Sequence, residues 1–500
     1  MLDYFCSMQN NYDLIIVGGG PTGLVLANLA GKLGLTIAVI EKQKEVYPIP
    51  RATHIDEETM RNFQLTGLMP LLKQHTAPFG KAVVVNHKAQ QLLEEHLQQN
   101  GVEHGYTGSY FFHQPAFEKI MRQGLSRYPN VDLMEGYETT HIQQNSNCVK
   151  VTAKQEDTSQ TIDIVAKWAV GCDGGRSLVR NTLNIPMDAI EPAREWVIVD
   201  TILKDPADAA LLPNHFRYIL NNDRVTLFAY GIGTNNRWEF QLCENEPMPN
   251  EATILQWVAE YIPLQKIEVT RIARYAHNSL IARRWRDERI LLAGDAAHMM
   301  PPFAGQGMCS GVRDAVNLAW KLEAVIKQQA PITLLDSYEQ ERKEHLQLIF
   351  KRTLFLSEVI KADTATGKIA RNLKLRLIAG LPGLKKYLQQ KYDIPARLHT
   401  GKLFTCKLSG KHLPQVAIAG RHLQSDDLTG YCSVVISKKG ALTSIQLKNA
   451  ETKNIRAIHN PALYNQWLNQ HGIDFAIVRP DKIIFGTGKA TQFDEVLAAI

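Results

Sequence analysis

The sequence predicts an α/β fold built on a dinucleotide-binding βαβ unit, and three observations near the N-terminus support this prediction. A short apolar run, YDLIIV at residues 12–17, is typical of a β-strand and leads directly into the glycine turn Gly18–Gly23. Residues 24–33 then place Leu, Val and Ala at helical spacing, and a second apolar run, residues 35–40, ends at Glu41. Strand, glycine turn, helix, strand and acid follow in the order that this unit requires.

Each part of such a unit has a physical task that these residues can perform. Gly18 permits the tight turn, Gly20 lets the backbone approach a pyrophosphate, and Gly23 lets the helix pack close to the strand. The start of the helix offers unpaired amide groups and a positive dipole end to phosphates. Glu41 is placed to accept hydrogen bonds from ribose hydroxyls and would repel a 2′-phosphate, so the expected ligand is FAD or NAD rather than NADP.

Composition limits the class of protein. A chain of 500 residues that is 45% hydrophobic can bury a large core and should hold two or three domains. The formal net charge of +6 comes without a block of Lys or Arg, so no nucleic-acid partner is expected. The seven cysteines form no Cys-x-x-Cys motif, which argues against a zinc site or a dithiol centre and suits a reducing cytoplasm.

No stable membrane insertion is expected either. The apolar stretch from residue 14 to residue 40 imitates a membrane span, but the glycine turn and Lys32 interrupt it. The first eleven residues contain Asp3 and no basic cluster, which is not typical of a signal peptide.

Two later segments repeat the pattern of a strand followed by an acid and glycines. The apolar residues 168–170 lead into GCDGGRS at 171–177, which puts Asp173 and unpaired amides at the carboxyl edge of a sheet, where ligands bind. The run RILLA at 289–293 leads into GDAAHMMPPFAGQGM, where Asp295 could meet a ribityl hydroxyl. A helix predicted from Cys309 could aim amides at a flavin ring where negative charge accumulates on reduction.

The middle and the end of the chain are β-rich. Between residues 195 and 280 the pattern predicts an inserted antiparallel sheet, and the strand RWEFQL at 237–242 alternates Trp238, Phe240 and Leu242 with charged or polar residues. Its aromatic face is expected either to line an aromatic substrate pocket or to form ordinary sheet core. A small C-terminal α/β domain is predicted from strand-like residues 431–436, 441–447, 475–479 and 483–485 and a helix at 464–471.

A proline-containing segment, YPIPRATHID at 47–56, precedes a predicted helix. Its two prolines favour an extended chain, so Arg51 and His54 are expected on a loop rather than a helix. From spacing alone, both are either functional or ordinary surface residues.

Together, the GGGPTG turn with Glu41, GCDGGRS and GDAAHMMPPFAGQGM resemble the single-component FAD-dependent aromatic hydroxylases, the group of p-hydroxybenzoate hydroxylase and phenol hydroxylase. Within that group, YPIPRATHIDEETMR, FHQPAFEKIM, NRWEFQL and SGVRDAVNLAWKL are similar to the 3-(3-hydroxyphenyl)propionate hydroxylase branch. The resemblance covers residues 10 to 350 well. It is looser over the last hundred, where RHLQSDDLTG and VRPD resemble a thioredoxin-like tail that lacks a dithiol.

The resemblance implies the p-hydroxybenzoate hydroxylase fold, in which a Rossmann-like domain carries an inserted antiparallel substrate domain. Its FAD-binding domain would comprise residues 9–75, 105–190 and 280–360. Its substrate-binding domain would comprise residues 76–104 and 191–279. A helical connector at 361–400 and a thioredoxin-like domain at 401–500 would follow.

The resemblance also implies a set of site residues. Tightly but non-covalently bound FAD would contact Gly18, Gly20, Pro21, Thr22, Gly23, Glu41, Lys42, Arg51, Gln114, Asp173, Gly174, Asp295, Pro302, Gly305, Gln306, Gly307 and Met308. Asp173 would serve both FAD binding and reduction by the nicotinamide coenzyme. Pro302, beside the reacting edge of the flavin, and His54 are the candidate catalytic residues. Tyr230 and Trp238 are the candidate substrate contacts.

The activity implied is that of a cytoplasmic flavoprotein monooxygenase, with a homodimer as an open possibility. NADH or NADPH would reduce FAD, O₂ would give a flavin C4a-hydroperoxide, and a small phenolic ring would be hydroxylated. A hydroxylase of a polyketide or antibiotic and a non-catalytic flavin-binding protein are the alternatives. A flavin halogenase is disfavoured because the Trp-x-Trp-x-Ile-Pro string of that family is absent.

Overall fold

The predicted βαβ unit lies at the centre of a mixed sheet, here called the first sheet. The computed structural model describes residues 12–96, 103–221, 223–300, 305–360, 365–384, 397–418, 424–458 and 463–500. Neighbouring parallel strands of the first sheet are, in spatial order, Ile290–Leu292, Thr161–Gly171, Tyr12–Val17, Ile37–Glu41 and Val131–Glu135. Antiparallel strands extend it, namely Tyr137–Gln144, Val149–Gln155 and Arg286–Asp287.

Three of these parallel strands end together at one edge of the first sheet. Val17 pairs with Gly171, and Gly171 pairs with Leu292. Beyond these residues the chain enters the glycine turn, the GCDGG segment and the turn that contains Asp295. Because ligands of open parallel sheets bind outside the carboxyl ends of the strands, this register puts all three motifs where a ligand would bind.

Helices cover the first sheet. They are Pro21–Lys32, Glu57–Leu65, Met69–Leu72, Gln114–Gly124, Leu178–Thr182, Gln306–Lys327 and Asp336–Ile360. The helix predicted from Cys309 begins already at Gln306, because Gly305 adopts the left-handed conformation (φ +62°) that turns the chain into it. Among the helices in the described ranges, none has the length and apolar character that crossing a membrane requires.

A second sheet, largely antiparallel as predicted, faces the carboxyl edge of the first. Its strands in spatial order are His298–Met299, Ile267–Ala282, Met187–Leu203, Asn235–Gln241, Val225–Tyr230, Phe216–Leu220, Lys81–Asn86 and Gln91–His96. One neighbouring pair, Phe216–Leu220 with Lys81–Asn86, is parallel. The helix Glu251–Ala259 packs against one face through Ile254 and Val258.

A small sheet joins the two layers. Its strands are His54–Asp56, Ser109–Phe112 and Thr76–Pro78. The sequence predicted Arg51 and His54 on a loop. Arg51 does lie on a loop, whereas His54 begins a short strand because its backbone pairs with that of Phe111.

The C-terminal part of the chain forms its own α/β layer, preceded by the helix Ala365–Gly380. Its strands are Arg456–Ala457, Val434–Ser437, Phe475–Val478 and Ile484–Gly488, and its helices are Ser425–Thr429, Ser444–Thr452, Asn465–Gln470 and Phe493–Ala498. The strand predicted over 441–447 is wrong. Thr443 and Gln446 form a capping box there that starts a helix instead. A thioredoxin-like assignment of this layer stays a prediction.

Buried ion pairs hold the C-terminal layer on the helices of the first sheet. Arg61 donates from Nε to Oδ2 of Asp426 at 2.6 Å and from Nη2 to Oδ1 at 3.1 Å, and both side chains are buried. Burial alone would raise the pKa of Asp426, but the Arg61 guanidinium holds it below its ordinary value. A second pair joins Arg479 to Glu341 at 2.8 Å, and Lys321 donates to the same carboxylate at 2.9 Å.

We predict that Arg61→Ala destabilises the protein by about 3–5 kcal/mol, because it leaves the Asp426 carboxylate buried without its partner. The matched control is Arg283→Ala, which removes an ion pair of similar length, 2.8 Å to Asp188, on the surface. That control is expected to cost at most about 1 kcal/mol. Denaturant unfolding of both variants tests the prediction, and equal losses in the two would contradict it.

Candidate active site

A cavity of about 1940 Å³ lies between the carboxyl edge of the first sheet and the second sheet. Single ligand pockets usually measure roughly 300–1,000 Å³, so this one has room for a large cofactor and a second molecule. Most of the predicted site residues line it, namely Gly18, Gly20, Pro21, Thr22, Glu41, Lys42, Arg51, His54, Gln114, Asp173, Gly174, Asp295, Gly305, Gln306, Gly307 and Met308. Pro302 lies outside the described residues.

The glycine turn fits a pyrophosphate. A Cβ at Gly18 (φ +108°) would lie 2.4 Å from the Cys172 carbonyl oxygen, and one at Gly23 would lie 2.0 Å from the Gly18 carbonyl oxygen. Gly23 therefore packs beneath the turn rather than at the cavity surface. Gly20 has no neighbouring atom within 4 Å of the corresponding position, and no side chain caps the helix Pro21–Lys32 that it begins. The first amides of this helix are thus open to an anion.

Glu41 holds the glycine turn in place. Its Oε2 accepts a hydrogen bond from the Gly19 amide at 2.6 Å, and its Oε1 accepts one from the Gln43 amide at 2.8 Å. A carboxylate has about four acceptor sites, so Glu41 can also accept from ribose hydroxyls in the cavity. The neighbouring Lys42 donates to Glu138 at 2.7 Å on the cavity rim.

Asp173 stabilises the turn of the GCDGGRS motif through two hydrogen bonds. Its Oδ1 accepts from the Ser177 hydroxyl at 2.5 Å, and its Oδ2 accepts from the Val179 amide at 3.1 Å. Burial raises the pKa of Asp173. Beside it, Gly174 (φ +79°) faces open space, so its backbone can approach a ligand closely.

Asp295 projects into the cavity. Its side chain is more than a third exposed, but that exposed surface faces the cavity inside the protein, and this burial raises the pKa of Asp295. Within the described ranges its carboxyl group has no hydrogen-bond partner. A carboxyl group that faces the cavity without a partner of its own can accept a hydrogen bond from a ligand hydroxyl.

A buried aspartate that the sequence analysis missed fixes the turn containing Asp295. Asp314 accepts hydrogen bonds from the Gly294 amide at 3.0 Å and from Arg342 at 2.8 Å, and lies 2.6 Å from Nε2 of His298. Burial alone would raise the pKa of Asp314, but His298 and Arg342 lower it to about 2. No local pattern signals this residue, because its partners come from separate elements.

Gln114 and Arg237 hold the loop that contains Arg51. Gln114 was a predicted site residue, whereas the sequence analysis missed the role of Arg237. The Gln114 Oε1 accepts from the Arg51 amide at 2.8 Å and from the Ala52 amide at 2.6 Å. From the other side, Arg237 donates to the Arg51 carbonyl at 2.7 Å while it pairs with Asp200 at 2.8 Å. The predicted contact of Gln114 with a cofactor therefore comes with a structural task, which is to hold the loop.

His54 connects the small sheet with the turn before Gln306. Its Nε2 lies 3.1 Å from the Ser109 hydroxyl, and a Cβ on Gly305 would come within 2.5 Å of its Nδ1. The imidazole packs edge-on against Phe79, 5.6 Å between ring centroids. Gln306 donates to Asp56 at 2.9 Å, which locks the start of the helix to the same strand.

The two predicted substrate contacts do not line this cavity. Trp238 is 2% exposed and packs in the core against Phe228 (4.4 Å) and Tyr261 (4.9 Å). The aromatic side of its strand is covered by the helix Glu251–Ala259, so the prediction for Trp238 is wrong and the reading of this face as ordinary sheet core is confirmed. Tyr230 packs beside Phe111 (6.4 Å) and is absent from the described cavity wall.

Comparison with known proteins identifies this arrangement. A family model described as an FAD binding domain matches residues 11–353. The 3-(3-hydroxy-phenyl)propionate/3-hydroxycinnamic acid hydroxylase of Escherichia coli (strain SMS-3-5 / SECEC) is 32% identical over 412 residues, 82% of this chain and 73% of the relative. The protein of the same name from Shigella sonnei (strain Ss046) is 29% identical over 520 residues, 96% of this chain and 92% of the relative.

Solved structures share the fold over nearly the whole chain. The flavin-dependent monooxygenase PieE in complex with FAD and substrate has a TM-score of 0.82 at 18% identity and covers 97% of this chain and 98% of its own. A ternary complex of aklavinone-11 hydroxylase with FAD and aklavinone has a TM-score of 0.78 at 20% identity, with 98% of each chain covered. With the fold and the cofactor both accounted for, the chain belongs to the single-component FAD-dependent aromatic hydroxylases and is a flavoprotein monooxygenase.

Proposed function

We propose that this monooxygenase hydroxylates a small phenolic acid, with NADH or NADPH and O₂ as co-substrates. The substrate class follows the names of the Escherichia coli and Shigella sonnei relatives, which are hydroxylases of 3-(3-hydroxyphenyl)propionate and 3-hydroxycinnamic acid. The observation that carries the proposal is the cavity that joins the three motifs to the second sheet, on the face opposite the one that the helix Glu251–Ala259 covers.

The first-sheet side of the cavity would hold FAD. The open amides at the start of Pro21–Lys32 suit the pyrophosphate, Glu41 suits the ribose, and Asp295 suits the ribityl hydroxyls. The segment Gly305 to Met308 would border the flavin ring, with His54 nearby. When bound, FAD supplies the redox chemistry that activates oxygen.

The second-sheet side of the cavity would hold the aromatic ring. Ile198 and Leu227 on the sheet, and Leu375 and Ile378 on the helix Ala365–Gly380, give part of this side an apolar lining. Such a lining removes water from around a bound ring and orients it. Exclusion of water matters because activated oxygen that meets water is lost as peroxide rather than transferred.

The two sides of the cavity correspond to two proposed domains, one that binds the cofactor and one that binds the substrate. We propose that residues 9–75, 105–190 and 280–360 bind the cofactor and that residues 76–104 and 191–279 bind the substrate. We propose residues 361–400 as a helical connector, whose described helix Ala365–Gly380 would border the substrate side, and residues 401–500 as a thioredoxin-like domain. We propose a cytoplasmic enzyme, since that compartment supplies the reduced nicotinamide, and leave a homodimer as a further proposal.

We predict that Asp295→Ala lowers FAD affinity by about 10- to 100-fold, because it removes a hydrogen bond made by a charged group. The purified variant should be largely colourless, and its bound FAD is measured by absorbance. The control is Asp223→Ala, since Asp223 is exposed on the surface and pairs with its neighbour Arg224. Stoichiometric FAD and full turnover in Asp295→Ala would contradict the assignment.

The proposed reaction is tested by substrate-dependent oxidation of NADH and NADPH with oxygen uptake. A panel of phenylpropanoid acids, simple phenols and tetracyclic compounds separates the substrate classes, and product analysis separates hydroxylation from peroxide release. We expect the strongest stimulation from 3-(3-hydroxyphenyl)propionate. Stimulation by tetracyclic compounds alone would indicate a polyketide hydroxylase, and no stimulation by any ligand would indicate a flavin-binding protein without turnover.

A further inference from the structure

One row of side chains crosses the second sheet on the face that lines the cavity. Backbone pairing aligns its members in neighbouring strands, and we call them the floor row: Leu93, Val84, Tyr218, Leu227, Glu239 and Ile198. All six line the cavity. The row is apolar except for the Tyr218 hydroxyl and the carboxyl group of Glu239, so one ionisable acid lies within a surface otherwise suited to a flat ring.

Glu239 is buried, but its carboxyl group has no hydrogen-bond partner among the described residues. Its side chain is 9% exposed, and its Oε2 is shielded from solvent. Neither oxygen accepts a hydrogen bond from any part of the chain that the structure describes. Leaving a buried polar group unsatisfied costs about 1–3 kcal/mol, and more for a charged group. A folded protein keeps such a group in a cavity wall mainly where a ligand satisfies it.

The neighbouring cations are already engaged. Arg237 pairs with Asp200 at 2.8 Å and donates to the Arg51 carbonyl at 2.7 Å, and Arg271 pairs with Asp200 at 2.6 Å. Their positive charges favour the ionised form of Glu239, whereas burial has the larger effect and raises the pKa of its carboxyl group. Neither arginine gives Glu239 a hydrogen bond, so Oε1, the oxygen that is not shielded, stays available to a molecule in the cavity.

We propose that Glu239 accepts a hydrogen bond from the ring hydroxyl of the phenolic substrate while the ring packs on Leu227 and Ile198. This inference rests on the proposed function and names the residue that recognises the hydroxyl. A hydrogen bond to a carboxylate is about twice as strong as one between neutral groups, and it increases the electron density of the ring. The same negative charge repels the carboxylate of a phenolic acid, so the acid side chain points away from this wall.

The test compares two ligands that differ only in the hydroxyl. Dissociation constants of 3-(3-hydroxyphenyl)propionate and 3-phenylpropionate are measured from the flavin absorbance change in FAD-loaded protein. The unmodified protein should prefer the hydroxylated ligand by about 10- to 100-fold. In Glu239→Leu this preference should fall to within about twofold, with 3-phenylpropionate bound at least as tightly as before, because the apolar wall is then complete.

The matched controls separate recognition from structural damage. Glu268→Gln removes an exposed carboxylate from the same sheet and should leave both constants unchanged. Glu239→Gln keeps the size of the side chain and should lose at least about threefold of the preference, since a neutral acceptor is weaker. This second variant decides the matter if Glu239→Leu does not fold.

Two results would overturn the inference while leaving the proposed function intact. One is an unchanged preference in both Glu239 variants. The other is an equal loss of affinity for both ligands, which is what a merely structural role of Glu239 predicts. Failure of the unmodified protein to bind or turn over any phenolic ligand would instead remove the proposed function, and the inference with it.

Discussion

The register of three parallel strands is the constraint on which the cavity depends. Val17, Gly171 and Leu292 lie side by side, so the turns that follow them emerge at one edge of the first sheet. A slip of one residue in either pairing would turn the following side chains to the opposite face. The close contact of Gly18 with the Cys172 carbonyl fixes the first pairing further, because no side chain fits between these two turns.

Two buried aspartates connect the turns at this edge, and the loop of Arg51, to the rest of the site. Asp314 joins the turn of Asp295 to His298 and Arg342, and Asp200 joins Arg237 and Arg271 to the loop of Arg51. In both places two cationic or basic partners and further hydrogen bonds offset the cost of burying the charges. The cavity is therefore framed by ionic contacts between layers, while the floor row on the second sheet gives one part of its wall a largely apolar surface.

The C-terminal layer takes part in the same cavity. Pro414, Trp467 and His471 line it, and the buried pairs of Arg61 with Asp426 and of Arg479 with Glu341 hold their layer against the helices of the first sheet. The C-terminal hundred residues thus contribute to the wall of the site as well as to stability.

Fold class and cofactor could be predicted from the sequence, and most of the residues predicted to contact FAD line one cavity. Glycines, strand patterns and a terminal acid are local signals, and each of the three motifs contains its own. The predicted strand at 441–447 was wrong because the capping box at Thr443 starts a helix despite the strand-like pattern. Which face of Asn235–Gln241 meets the cavity could not be predicted from the sequence and depends on the packing of the helix Glu251–Ala259. Alternation along the strand defines two faces, and the helix packed over Trp238 assigns one of them to the core, which leaves Glu239 on the cavity side. Asp200 and Asp314 likewise find their partners on elements that are distant in the sequence.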